Sequence, residues 1–113
     1  MKRLYMELLR QGATIVSDVW NHSPPMRRTW MSLAREPNVF VFADEDGRTF
    51  SNVAGAAYED PRLDKVLLAV LADDEGEARE KVERTLADIG TDYSAHALPD
   101  HVRFADDGMG GDY

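Results

Sequence analysis

The chain has 113 residues, with 21 acidic residues against 13 lysines and arginines and a formal net charge of −8. This length is typical of a single domain that buries its own core, and the absence of cysteine excludes disulfides, thiolate metal ligands and a cysteine nucleophile. Because phosphates repel a negative surface, the charge disfavours nonspecific contact with nucleic acid or anionic membranes and permits a basic protein partner.

The first residues resemble a secretory signal only superficially. Lys2 and Arg3 precede a short apolar stretch, but Glu7 and Arg10 interrupt it before it reaches the length of a signal core. No segment approaches the roughly 20 apolar residues of a membrane span. We therefore expect a cytoplasmic protein without membrane contact.

Residues 4–20 are ambiguous between one helix and a helix followed by a strand. Their apolar positions recur at spacings of one, three and four residues, which is typical of one helical face: Leu4, Tyr5, Leu8, Leu9, Ile15, Val16, Val19 and Trp20. Against this, the run 14–16 is β-branched, and Gly12 costs about 1 kcal/mol in a helix interior relative to alanine. The alternative ends the helix near Gln11 and places a strand at 13–20. We favour the single helix.

A second helix is predicted from Ser23 to Arg35. Ser23 is placed to cap it, and the first turn tolerates Pro24 and Pro25 because their missing N–H groups would be unpaired there anyway. Pro37 ends it. The apolar stripe of this helix consists of Met26, Trp30 and Leu33.

A β-hairpin is predicted in the middle of the chain. Residues 38–43 are rich in β-branched and aromatic side chains, and residues 48–53 have similar character. Asp46-Gly47 between them is a strong signal for a tight hairpin turn. An irregular connection follows, with a turn at Asp60-Pro61.

Residues 65–98 predict a strand, a crossover helix and a second strand. The continuous apolar run 65–72 is typical of a strand covered on both faces. Asp73 or Asp74 caps the following helix, and Gly90 ends it. Residues 92–98 and 101–104 then have extended character. The apolar stripe of the helix consists of Ala78, Val82, Leu86 and Ile89.

These elements predict one α+β domain at 1–104. We expect a single antiparallel or mixed sheet of four to five strands with helices packed on one face, and two N-terminal helices, as in a two-layer ferredoxin-like sandwich. That comparison is architectural only. A sheet covered on one side can bury its other face by dimerising, so we expect a homodimer. Residues 105–113 form an acidic, glycine-rich tail that we expect to be disordered.

Three histidines, His22, His96 and His101, are the candidates for acid–base or metal chemistry. On a strand, the odd separation of His96 and His101 would place them on opposite faces, and their spacing matches no helical zinc motif. We expect surface or turn histidines, with no metal site and no cofactor.

One locally basic, aromatic-bearing patch interrupts the acidic chain. Arg27, Arg28 and Trp30, at a helix N-terminus, suit a phosphate, a carboxylate or an acidic protein partner, and we take them as the anion- or partner-binding candidates. The alternative places Trp30 in the core and leaves both arginines in solvent or paired with acids of the same chain.

The chain contains no nucleophile elbow, P-loop or dinucleotide fingerprint. We therefore expect a non-catalytic binding or regulatory module that contacts another protein. An inhibitor that mimics nucleic acid and docks on a basic partner is a special case. The alternative is a small ferredoxin-like enzyme or ligand sensor whose cleft contains one of the three histidines.

Overall fold

The computed structural model describes residues 2–17, 24–45, 49–89 and 102–104. In chain order the elements are α1 (Lys2–Arg10), β1 (Thr14–Val16), α2 (Pro24–Ala34), β2 (Val39–Asp44), β3 (Phe50–Asn52), a 3₁₀ helix (Pro61–Asp64), β4 (Leu67–Leu71), α3 (Glu75–Ile89) and β5 (Val102–Phe104). No helix in these ranges has the length and apolar character needed to cross a membrane.

The five strands form one sheet in the order β3-β2-β4-β1-β5. β4 runs antiparallel to both of its neighbours, β2 and β1, and β3 runs antiparallel to β2, with Asp44 paired to Phe50. The α+β class and the antiparallel pairing of the predicted hairpin are therefore confirmed, whereas its predicted turn at Asp46-Gly47 lies outside the described residues. β1 and β2 run in the same direction on either side of β4, so β1–α2–β2 is a split β-α-β unit.

Helices cover both faces of this sheet. Successive residues of a strand point to opposite faces, and in β2 Val41 packs in one buried cluster while Phe42 packs in the other. α1 and α2 contribute to the cluster of Val41, and α3 contributes Ala78, Val82 and Leu86 to the cluster of Phe42. The prediction that the helices pack on one face is wrong, because β4 is apolar on both sides and each side requires its own cover.

The ferredoxin-like arrangement is not confirmed. β1 separates α1 from α2, so the expected pair of consecutive N-terminal helices is interrupted. β5 also pairs in parallel with β1 at the edge of the sheet. The predicted strand at 92–98, the end of α3 at Gly90 and the tail at 105–113 lie outside the described residues.

The favoured single helix over 4–20 is wrong, because the chain turns between α1 and β1. Gly12 has a φ of 90°, and its N–H donates to the Leu9 carbonyl at 3.0 Å, as at many helix C-termini. Ile15 then pairs with Ala69 of β4. The alternative, a helix that ends near Gln11 and is followed by a strand, agrees with the structure.

Both later helices begin where the sequence predicts. α2 begins at Pro24 and buries Met26, Trp30 and Leu33, while its predicted cap, Ser23, lies outside the described residues. The Asp74 carboxylate accepts the Glu77 N–H at 2.8 Å, and the Glu77 carboxylate accepts the Asp73 N–H at 3.2 Å. The first bond satisfies an N–H group that the first turn of α3 leaves unpaired, and the second satisfies an N–H group of the chain just before the helix.

Because helices cover both faces of the sheet, the uncovered face from which we predicted a homodimer is absent from the described part of the chain. Among the described residues, Leu4 is the one large apolar side chain that is exposed, with 40% of its surface accessible. An uncovered apolar sheet face is therefore not what would bring two copies together. The homodimer stays a prediction without that support.

Candidate functional site

The three partner-binding candidates of α2 have three different environments. Trp30 is fully buried, and its ring centre lies 6.4 Å from that of Tyr5 on α1. Arg27 keeps only 13% of its side-chain surface accessible, whereas Arg28 is exposed. Trp30 therefore lies in the core, and Arg28 is the candidate that a partner can reach.

Arg27 connects α2 to the segment after β3. Its guanidinium forms an ion pair with Asp64, and its Nη2 donates to the Tyr58 carbonyl at 2.6 Å. The guanidinium carbon also lies 5.4 Å from the centre of the Tyr58 ring, within the range of a cation–π contact. Arg27 thus fixes the position of Tyr58 beside α2.

Asp60 and Arg62 lie in the same segment after β3 and stabilise it through hydrogen bonds. The Asp60 carboxylate caps the 3₁₀ helix by accepting the Arg62 N–H at 2.9 Å, and it also accepts from Arg62 Nη2 at 2.7 Å. Arg62 Nη1 donates to the Asn52 carbonyl at 2.8 Å. The hydrogen bonds from Arg62 lower the pKa of the Asp60 carboxyl.

This pair predicts a specific loss of stability in acid. The pKa of Asp60 is lower in the folded than in the unfolded chain. The contribution of Asp60 to the free energy of unfolding is therefore fully present above the pKa of the unfolded chain, and it disappears as the pH falls through the pKa of the folded chain. Urea unfolding between about pH 2 and pH 7 should show a shallower acid decline for Asp60→Asn than for the wild type. The exposed neighbour Glu59, changed to Gln, should keep the wild-type slope; identical slopes in all three proteins would contradict the assignment.

Arg28, Met31, Arg35 and Tyr58 line a shallow cavity of 390 Å³, and we call these four residues the arginine–tyrosine surface. Arg28 and Arg35 are exposed, and neither forms an ion pair with another described residue. The Arg28 guanidinium carbon lies 5.9 Å from the centre of the Tyr58 ring. The surface therefore presents two exposed cations beside an aromatic ring and a thioether.

Helical periodicity brings three of these residues onto one stripe. Arg28, Met31 and Arg35 are three and four residues apart, the spacing of neighbours on a helix surface. Arg35 follows the last residue of α2, and its N–H donates to the Ser32 carbonyl at 3.2 Å, which continues the helical path by one tight turn. Arg28 was predicted from the sequence and Arg35 was not, although the sequence shows their spacing of seven residues.

A larger cavity, of 570 Å³, lies between α1 and α3 at one end of the sheet. Its cations have partners: Lys81 Nζ donates to the Leu71 carbonyl at 2.6 Å and lies 3.7 Å from the Glu77 carboxylate. Arg10 lies 3.5 Å from the Glu7 carboxylate. This cavity is therefore less suited to an anionic ligand than the arginine–tyrosine surface.

The buried hydroxyl groups of the β1 region serve the fold. Thr14 and Thr85 hydrogen-bond through their hydroxyls at 3.1 Å, which connects β1 to α3, and the Ser17 hydroxyl accepts the Leu67 N–H at 2.9 Å. These contacts satisfy polar groups in the interior. They do not form a site open to a ligand.

The three candidate histidines, His22, His96 and His101, lie outside the described residues. Within the part of the chain that the structure describes, no group of three or more histidine, aspartate or glutamate side chains could hold a metal ion. No protein-family model, curated protein or solved structure matches the chain. Its function is therefore inferred from its own residues.

Proposed function

We propose that this chain is a non-catalytic binding module that contacts another protein through the arginine–tyrosine surface. The observation that carries this proposal is that Arg28 and Arg35 are both exposed, line one cavity, and form no ion pair with another residue in the described ranges. Arg27 and Arg62, by contrast, pair with acids of the same chain, which has 21 acidic residues. Two neighbouring arginines left accessible are available to a partner.

The composition of this surface favours a protein partner. Arginine, tyrosine and methionine are enriched in the buried centres of protein interfaces, and arginine and tyrosine are frequent among the residues that dominate binding energy. A nucleic acid is disfavoured because the net charge of −8 repels a polyphosphate. The alternative of an enzyme or sensor with a cleft histidine remains a prediction.

Charge reversal at the surface tests the proposal. We expect an immobilised full chain to retain a defined protein from a lysate of its source cells, and the Arg28→Glu/Arg35→Glu variant to retain about tenfold less of it, since central interface arginines dominate binding. The matched control is Arg3→Glu/Arg84→Glu, which makes the same change of charge at exposed positions on α1 and α3. Quantitative mass spectrometry of the retained proteins gives the readout, and circular dichroism verifies that each variant is folded.

Two outcomes contradict the proposal. One is a wild-type chain that retains no protein above an empty matrix. The other is equal loss of the retained protein in the surface variant and in the Arg3→Glu/Arg84→Glu control, which would assign the contact to net charge rather than to this surface.

A second candidate, docking of a basic partner, is favoured by the outer face of α3. The guanidinium of Arg79 lies 4.9 Å from the centre of the Phe42 ring, and Lys81 donates to a backbone carbonyl of β4, so both cations point towards the sheet. Glu80 and Glu83 remain exposed, with the exposed Arg84 beside them, so acids outnumber bases on this face by two to one. An acidic helix face of this kind suits a nucleic-acid mimic that binds a basic groove.

The salt dependence of binding tests this second candidate. A basic partner held by Glu80 and Glu83 should dissociate as the salt concentration rises, and Glu80→Gln/Glu83→Gln should weaken its retention. Retention that is equally strong in high salt would count against the mimic.

A further inference from the structure

The two arginines of the arginine–tyrosine surface follow each other along one helical path. Arg28 lies on α2 and Arg35 directly follows its last residue, seven positions later, so their backbones are about 10.5 Å apart along the helix axis. Met31 lies between them and packs in part against the core. The surface therefore presents cation, apolar side chain and cation along one line.

We infer that the segment seated on this surface is an acidic amphipathic helix with carboxylates two turns apart and an apolar side chain between them. This inference rests on the proposed function, since it names the partner of the same surface. Each partner carboxylate would accept paired hydrogen bonds from one guanidinium, Arg28 or Arg35. The apolar side chain would contact Met31 and Tyr58 within the 390 Å³ cavity.

The spacing favours a helix over an extended segment. In a helix, residues i and i+7 lie on the same face about 10.5 Å apart, which matches the backbone separation expected for Arg28 and Arg35 on their own helical path. In a strand, residues on one face lie about 6.6 Å or 13 Å apart, and neither distance matches. Apolar residues at i+3 and i+4 of a partner helix would fall opposite Met31.

The surface is organised before a partner arrives. Arg27 holds the Tyr58 backbone at 2.6 Å, and the Tyr58 ring in turn contacts the Arg28 guanidinium. Contacts that are already formed reduce the conformational entropy lost on binding. Tyr58 and Arg27 therefore act as positioning residues for Arg28.

Synthetic peptides test the inference with the full chain. The matched peptide is a side-chain-stapled helix with glutamates at i and i+7 and leucines at i+3 and i+4. A stapled peptide of the same composition moves the second glutamate to i+2, and a third replaces both glutamates by glutamine. In fluorescence anisotropy, we expect the matched peptide to bind about tenfold or more tightly than either control.

Variants of the chain locate the binding site. Arg28→Gln and Arg35→Gln should each weaken binding of the matched peptide by about tenfold, because each removes one charge-assisted contact. The Arg3→Glu/Arg84→Glu control should bind within about twofold of the wild type at 0.15 M salt, where distant exposed charges are screened.

Three results would overturn the inference: no binding of any peptide, equal binding of the matched peptide and the peptide with the second glutamate moved, or displacement of the peptide by a short DNA duplex at equal concentration. In each of these cases, the proposed function would still stand if the Arg28→Glu/Arg35→Glu variant lost the protein that the wild type retains from the lysate. The failure of the partner assignment and the failure of the binding function are thus separable.

Discussion

Replacing Trp30 by alanine is expected to lower the free energy of unfolding by about 3 to 5 kcal/mol, the usual cost of truncating a buried aromatic side chain. Trp30 is fully buried and belongs to the cluster that joins α1 and α2 to the sheet. A domain of this size is held together by only about 5 to 15 kcal/mol, so the loss is a large fraction of the total. Urea unfolding followed by circular dichroism measures it.

Two further variants make this result specific. Leu4→Ala removes an exposed apolar side chain and should change stability by less than about 0.5 kcal/mol. Trp30→Phe should cost far less than Trp30→Ala, because it keeps a ring and removes an indole N–H that has no hydrogen-bond partner among the described residues. If Trp30→Ala were no more costly than Leu4→Ala, Trp30 would be available to a partner instead of holding the core.

The local character of β4 was predictable, but its place in the fold was not. The uninterrupted apolar run 65–72 predicts a strand covered on both faces, and residues 67–70 are all buried. The stripe of Ala78, Val82 and Leu86 on α3 was equally visible. Periodicity shows which side of a helix is apolar, but the face of the sheet that it covers depends on contacts between distant segments.

β1 shows why a short strand can be mistaken for part of a helix when only the sequence is known. Apolar spacings of three and four residues continue from α1 through Val16, so the helical pattern extends over a region that is not helical. The pairing of Ile15 with Ala69, more than fifty residues later, decides the conformation. Gly12, which adopts a positive φ, and the β-branched run 14–16 were the local signs that the helix ends.

The candidate site was predictable only in part, because it also depends on contacts between segments that are distant in the chain. Arg28 and Arg35 share a helical stripe, which the sequence contains, but Tyr58 reaches them through a hydrogen bond from Arg27 to a residue 31 positions away. Nothing in the spacing of charges reveals that Arg27 is paired internally and Arg28 is not. That distinction requires the position of the 3₁₀ helix and its Asp64.

Placing a carboxylate beneath α3, by Val82→Asp, is expected to lower the free energy of unfolding by about 3 to 5 kcal/mol, because the charge would be buried without a partner. Val82 has only 2% of its surface accessible and packs in the cluster of Phe42, Leu68 and Val70. If the variant folds at all, α3 should detach first. Chemical denaturation and binding of an apolar dye report these two effects.

The matched control adds the same side chain to the opposite face of the same helix. Ala87 is exposed, so Ala87→Asp should cost less than about 1 kcal/mol, mainly from an acidic residue near the helix C-terminus. Detachment of α3 would expose Phe42 and Val70, and light scattering should then show self-association of Val82→Asp but not of Ala87→Asp. Equal stability of the two variants would mean that α3 does not cover the sheet, and dimerisation through that face would regain its physical basis.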